Sequence, residues 1–391
     1  MRRFLRFSFM RKLNFEEKMG LRESLRREKL MKVMDDENLD GYLVVDPVNV
    51  SNLTGFQGED SFLWIGDVGA CLLSDTRFEE QIKEECPDIG AAIRCSGQTT
   101  LGLLRGAIAD SAFSSKAPNR IGIEGASTTV ALLNALRGMF PSAEFVARNS
   151  DVERLRSIKD ETEISEIRQA IDITIRAYRV LRKTATNDMT EVDLRDELEY
   201  RMRKEGGDDV SFPSIVAFDA RAALPHAIPQ RKGQLGDSNM VLIDWGAKRN
   251  GYVGDLTRAF LTEKGESLAS REYRARFESI FKIVLEAHDK AIEMIKPGAS
   301  CREIDKVARD VIREAGYGDY YGHGLGHGIG RVVHDYGGFS PSAQGVVEEN
   351  MIITVEPGIY LPGWGGIRIE DDVLATPDGC EIMSSNLRVD E

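Results

Sequence analysis

Three of the chain's five histidines, His323, His327 and His334, fall within twelve residues in the run GHGLGHGIGRVVHD. A fourth, His226, lies in ALPHAIP. Four acids end or interrupt apolar, strand-like runs: Asp244 in VLIDWG, Asp255 in YVGDLT, Glu356 in ITVEPG and Glu370 in IRIEDD. An unpaired charge among apolar neighbours is costly, and a shared cation removes that cost. Four carboxylates and the imidazole of His327 make a mostly hard-oxygen ligand set. Such a set suits Mn²⁺, Fe²⁺ or Co²⁺ better than a Cys-rich structural zinc. Two divalent ions would roughly balance the carboxylate charge. Each residue alone has a plainer reading: an Asp beside a turn is ordinarily solvated, and so is a histidine in a Gly-rich turn. His288, in the helical run FKIVLEAHDK, takes that plainer reading.

The elements around these residues decide whether they converge. Asn250-Gly251 is a strong signal for a two-residue hairpin loop. That loop makes Arg249 face Tyr252 and Asp244 face Thr257. Side chains alternate along a strand, so Asp255 shares a face with Thr257. Asp244 and Asp255 become diagonal neighbours with backbones roughly 7–8 Å apart, close enough to share a pair of cations spaced roughly 3.5–4 Å apart. Arg368 alternates with Ile367 and Ile369, as Glu370 does, so the two polar residues share a face. Arg368 is then either a plain salt-bridge partner or the group that holds a metal-binding carboxylate in place. GHGLGHGIG is too Gly-rich for a helix or a regular strand interior, and its glycines permit close approach of backbone and substrate.

Away from the cluster, residues 20–150 alternate strand-like runs (41–45, 63–75, 120–125) with helical ones (22–37, 102–109, 131–140). That alternation predicts an α/β domain, without a catalytic constellation. Residues 151–391 form a second, α+β domain, opened by a helical stretch over 151–185. Asp160 and Glu163 make a capping box there. Ile164, Ile167, Ile171, Ile175 and Tyr178 share one helical face. TEVDLRDELEYRMRKEGG (190–207) echoes REIDKVARDVIREAGYG (302–318), each after a long helix and before a His-bearing segment. Two similar halves packed face to face would leave a cleft between them.

The 391-residue chain carries a formal charge of −13, which argues against a nucleic-acid partner. It has no apolar run fit to span a bilayer. Cys71, Cys86, Cys95, Cys301 and Cys380 show no CxxC spacing and read as reduced thiols of a cytoplasmic protein. Residues 1–19 read as an N-terminal extension. Its first thirteen residues, MRRFLRFSFMRKL, are basic, as an organelle-targeting segment would be, but a plain extension or a misplaced start ahead of Met10 or Met19 is the favoured reading.

From about residue 155 onward, ALPHAIP, VLIDWGAKRNGYVGDLTRAF, GHGLGHGIGRVVHD, ITVEPGIYLPG and GGIRIEDDV occur in the order found in the pita-bread metallopeptidases. The chain resembles their Xaa-Pro peptidases, the prolidases and aminopeptidases P, and residues 20–150 resemble the creatinase-like domain that accompanies them. The resemblance implies a pita-bread catalytic domain of two pseudo-symmetric halves and a homodimer. It also implies two divalent metal ions, Mn²⁺ first, with Co²⁺, Fe²⁺ or Zn²⁺ as alternatives. Asp244 would bind one ion, Asp255 and Glu370 would bridge both, and His327 and Glu356 would complete the two shells. His226 and His334 match histidines that bind substrate and stabilise the tetrahedral intermediate. His323 matches a neighbouring active-site histidine and Arg368 an arginine beside the metals. The implied reaction is attack of a bridging hydroxide on the carbonyl before proline, with Glu356 handling the proton. Prolidases acting on dipeptides carry an Arg for the substrate carboxylate between the second active-site His and the EPG motif. Here no Arg or Lys occurs from Val332 to Ile367, although Arg331, just before that span, stands where it could substitute. This departure favours an aminopeptidase on longer peptides over a dipeptidase. A related hydrolase of small amides and a non-catalytic binding module are the other readings; the latter is disfavoured because every ligand position is kept.

Overall fold

The computed structural model describes residues 15–388, with side chains from residue 22 onward. The basic segment at residues 1–13 lies outside the described residues. The described chain divides into two compact units, one ending at Leu155 and the other beginning at Arg156.

The first unit is built on one six-stranded sheet, in the order Gly90–Arg94, Ala70–Asp75, Phe62–Gly66, Gly41–Val44, Arg120–Glu124, Glu144–Arg148. Gly41–Val44 runs parallel to Arg120–Glu124 and antiparallel to Phe62–Gly66. The run at 63–75 is an antiparallel hairpin. Asp46 both ends the first strand and starts a helix: its carboxylate accepts from the N–H groups of Val48 and Asn49, with Pro47 at the first helical position. Phe15–Asp36 is helical, so this helix begins before residue 22.

The second unit repeats one theme. A 24-residue helix, Glu161–Thr184, is followed by the 14-residue Glu191–Lys204. Later a 23-residue helix, Arg271–Glu293, is followed by the 14-residue Cys301–Glu314. The two echoing sequence runs coincide with the shorter helices. The helical stretch at 151–185 is two helices, because Asp160 caps a new one: its carboxylate accepts from Glu163 N–H and Glu163 answers on the Asp160 N–H. Ile167, Ile171, Ile175 and Tyr178 are buried, as their spacing predicts, while Ile164 is partly buried.

Each helix pair is followed by a sheet. One has the order Leu256–Leu261, Met240–Trp245, Ile215–Phe218. The other has the order Asp335–Phe339, Gly326–Gly328, Ile352–Val355, Asp371–Thr376, Gly379–Ile382. A lone bridge between Thr257 and Glu370 joins the two halves where their acidic residues meet. Trp245 stacks on Tyr178 at 4.5 Å and donates its indole N–H to the Thr174 carbonyl at 2.9 Å. Alternation along that strand sends the preceding residue, Asp244, to the opposite face. Among the described residues no helix is long and apolar enough to cross a membrane.

Candidate metal centre

The hairpin register is the one the Asn-Gly loop dictates: Arg249 pairs with Tyr252 and Asp244 with Thr257. Between these points the regular pairing is interrupted while the strands stay close, Gly254 N–H donating to the Ala247 carbonyl at 3.0 Å. A Cβ on Gly246 would lie 1.9 Å from the Gly254 carbonyl oxygen, so only glycine allows the strands to approach there. Asp255 N–H turns away from the opposite strand and donates to Asp372 Oδ2 at 3.0 Å. Its own side chain faces the cavity.

The Gly-rich run corrects one expectation, because Gly326–Gly328 does form a strand, with a register shift after His327. Glycine is what lets it fit. A Cβ on Gly326 would lie 1.8 Å from the Thr354 carbonyl oxygen, and one on Gly328 would lie 2.3 Å from that of Tyr336. His327 is thereby carried into the sheet between Ile352–Val355 and Asp335–Phe339.

A cavity of about 560 Å³ is lined by His226, Asp244, Asp255, His323, His327, His334, Glu356, Arg368 and Glu370 together. Ligand atoms of Asp255, His327 and Glu370 lie within 4.8 Å of one another. His327 Nε2 is 3.4 Å from Glu356 Oε1 and 3.7 Å from Asp255 Oδ2. His334 packs edge-on against His327 at 4.4 Å between ring centres.

These groups are adverse to one another without a cation. Burial, then the Glu370 charge, pushes Asp255 and Glu356 well above the carboxylate range. Burial, then Asp244, pushes Glu370 up to about 8. Asp244 is raised by burial too, against the pull of Arg368. His327 is lowered to about 4 by burial and then by His334, so it is a neutral imidazole. Its Nδ1 lies 3.2 Å from the Gly328 carbonyl, which can only accept, so the proton sits on Nδ1. The Nε2 lone pair therefore faces carboxylate oxygens. Asp244 Oδ1 and Asp255 Oδ1, both buried, accept no hydrogen bond among the described residues. Lone pairs converging in this way fit divalent cations.

Behind these groups lies a network that joins Arg368 and His323, both expected from the sequence, to Thr257 and Tyr360, which were not. Arg368 donates through Nη2 to Asp244 Oδ2 at 2.6 Å, through Nε to Thr257 Oγ1 at 2.9 Å and through Nη1 to the Tyr360 hydroxyl at 2.8 Å. Thr257 in turn donates to Glu370 Oε2 at 2.6 Å. His323 Nδ1 lies 2.7 Å from the Gly324 carbonyl, so it carries the proton. Its Nε2 accepts from the Tyr360 hydroxyl at 2.8 Å. Both nitrogens of His323 are thus committed to the protein. Signals for the missing members existed: Thr257 stands opposite Asp244 in the hairpin register, and a tyrosine on a buried strand needs a partner for its hydroxyl.

Two further expectations change. His288 is buried, not solvated. Its ring lies 3.1 Å from Asp371 Oδ2 and from Asp289 Oδ1. Arg331 does not line the cavity, and its guanidinium stands over the Tyr252 ring at 4.9 Å. The second arginine on the cavity wall is Arg195, from the helix Glu191–Lys204.

Residues 165–377 match metallopeptidase family M24, and residues 26–158 match the creatinase/prolidase N-terminal domain. The chain is 32% identical to a Xaa-Pro dipeptidase of Pyrococcus furiosus, over 93% of this chain and 98% of that protein. Among solved structures it is similar to a Xaa-Pro dipeptidase from Bacillus anthracis, with TM-score 0.86 and 31% identity over 94% of this chain and 98% of that one. It is also similar to an X-Pro aminopeptidase from Thermotoga maritima, with TM-score 0.80 and 33% identity over 92% and 97% of the two chains.

Proposed function

The chain belongs to metallopeptidase family M24 and is similar over nearly its whole length to Xaa-Pro peptidases, and from that premise we propose that it hydrolyses the peptide bond before proline, favouring longer peptides over dipeptides. The observation that carries this reading is the neutral His327, whose Nε2 lone pair faces Asp255 and Glu356 in a cavity with Glu370. In this reading Asp244, Asp255, His327, Glu356 and Glu370 hold two divalent ions, manganese first. When bound, such ions polarise a carbonyl and acidify a water to near-neutral pKa.

The protein's own groups then divide the work. Glu356 is the residue assigned to take the proton of the attacking water. His226 and His334, on the cavity wall, donate toward the oxygen of the tetrahedral intermediate. Arg368 keeps Asp244 oriented, and His323 holds Tyr360 against Arg368. Phe212, Pro213, Pro225 and Pro229 give the cavity an apolar flank suited to a pyrrolidine ring. A homodimer acting in the cytoplasm completes the proposal. Its support is the family resemblance and the absence of disulfides among the described cysteines.

Length preference is where a second reading has an observation of its own. The basic residue expected between His334 and Glu356 for a dipeptide carboxylate is absent, which supports a peptide longer than two residues. Arg195, however, faces the cavity, its one ion pair among the described residues being with its exposed neighbour Asp196 at 2.6 Å, and that supports a dipeptidase. Comparing Xaa-Pro with Xaa-Pro-Yaa substrates in the Mn²⁺-loaded protein separates the two. Higher kcat/KM on the tripeptide supports the first. Higher kcat/KM on the dipeptide, lost in Arg195→Gln, supports the second.

A further inference from the structure

Glu191 is completely buried at the start of its helix, although it is a charged residue. It is tolerated there because donors saturate it. Its carboxylate accepts from Phe218 N–H and Gln230 N–H, each at 2.8 Å, and from Arg221 Nε at 3.0 and 3.1 Å. Arg221 extends the tie by donating Nη2 to the Ile228 carbonyl at 2.5 Å. One carboxylate therefore closes both ends of segment 218–230, and His226 lies between them. The segment contributes Pro225, His226 and Ile228 to the cavity wall. Its start is anchored independently, because Phe218 and Ala222 are buried and Asp219 accepts from Asn239 N–H and Met240 N–H, whereas beside His226 the large apolar side chains are exposed, Leu224 at 53% and Ile228 at 80%. The ties from Glu191 reach past His226, directly to Gln230 N–H and through Arg221 to the Ile228 carbonyl.

We propose that Glu191 is the positioning residue for His226, a clamp that sets one wall of the substrate site from behind. The inference rests on reading His226 as a substrate-facing residue of a Xaa-Pro peptidase. Its test is a double-mutant cycle with Glu191→Gln and His226→Ala in the full chain, assayed with Mn²⁺ on a Xaa-Pro-Yaa peptide. Glu191→Gln is expected to lower kcat/KM about tenfold or more, as supporting groups behind a site commonly do, with Mn²⁺ affinity unchanged by calorimetry. Added to His226→Ala, it should cost clearly less than it does alone, the remainder falling on Pro225 and Pro229 of the same wall. Additive losses, or a fall in Mn²⁺ affinity that accounts for the lost activity, overturn the proposal. If Glu191→Gln does not fold, Arg221→Ala removes the arm to Ile228 and the pairing with Glu191 but leaves the ties to Phe218 and Gln230 N–H, with the same non-additivity expected. An inert wild type would defeat the peptidase reading instead. Amide exchange over 219–230 then decides the clamp alone: selective acceleration in the Glu191 or Arg221 variant supports it, and unchanged exchange overturns it.

Discussion

Arg368 and Tyr360 are joined by a 2.8 Å hydrogen bond at the back of the acidic cluster. Through it the neutral His323 is linked to the guanidinium that holds Asp244 and, by way of Thr257, Glu370. Burial pushes the Tyr360 phenol up to about 12, so it stays a hydroxyl throughout the working range. Tyr360→Phe keeps the ring and deletes only this connection. It is expected to lower kcat/KM or Mn²⁺ affinity about ten- to hundredfold and to destabilise the fold by about 1–2 kcal/mol. Unchanged activity and metal affinity would mean that Arg368 needs no such support.

Asp255 has the opposite character, serving the site at the expense of the fold. Without metal its buried carboxylate is opposed by Glu370 and Asp244. Asp255→Asn should therefore abolish turnover while raising the melting temperature of the chelator-treated protein. It should also erase the rise in melting temperature that Mn²⁺ gives the wild type, since ligand stabilisation follows site occupancy. Calorimetric scans with and without Mn²⁺ check all of this. A variant still stabilised by metal as strongly as the wild type would remove Asp255 from the ligand set.

Gly326 tests how the Gly-rich strand delivers His327. Alanine there would place its Cβ 1.8 Å from a backbone oxygen of Thr354, which cannot move aside as a flexible side chain would. Gly326→Ala should cost about 1–3 kcal/mol as an overpacked site and weaken Mn²⁺ binding. Native stability with full metal affinity would show that the sheet adapts.

The parts of the site readable from sequence were those set by local rules. Asn250-Gly251 determines the register that places Asp244 opposite Thr257, and strand alternation aims Asp244 away from Trp245. The strand at His327 was not readable, because its glycines serve contacts with Thr354 and Tyr336, which are distant in sequence. The same holds for His288, whose partner Asp371 is far along the chain, and for Arg195, which reaches the cavity from a helix without motif. Side-chain pairings across the two halves leave no periodic trace.

In the first unit, Glu124 accepts from Val45 N–H and Asp46 N–H at 2.6 and 2.7 Å and from the Asn49 amide at 2.6 Å. Burial nonetheless raises it to about 7 from 4.5. Between these values the folded chain holds a proton that the unfolded chain has lost. Stability from this group is thus fully present below pH ~4.5, falls as pH rises, and levels off above about 7. The change amounts to roughly 3 kcal/mol at most. Urea unfolding of the full chain at pH 5, 6, 7 and 8 should show the decline, flattened in Glu124→Gln. An identical slope in the variant would assign the decline to other groups.

The central claim is a metal-dependent Xaa-Pro peptidase with two ions in one acidic cavity. Its most direct test is hydrolysis of a Xaa-Pro-Yaa peptide by chelator-stripped protein as Mn²⁺ is titrated in. The predicted result is no turnover at the start, then release of the N-terminal residue that reaches a plateau near two ions per chain. Full turnover in the stripped protein, or none at any Mn²⁺ concentration toward any Xaa-Pro substrate, would contradict it.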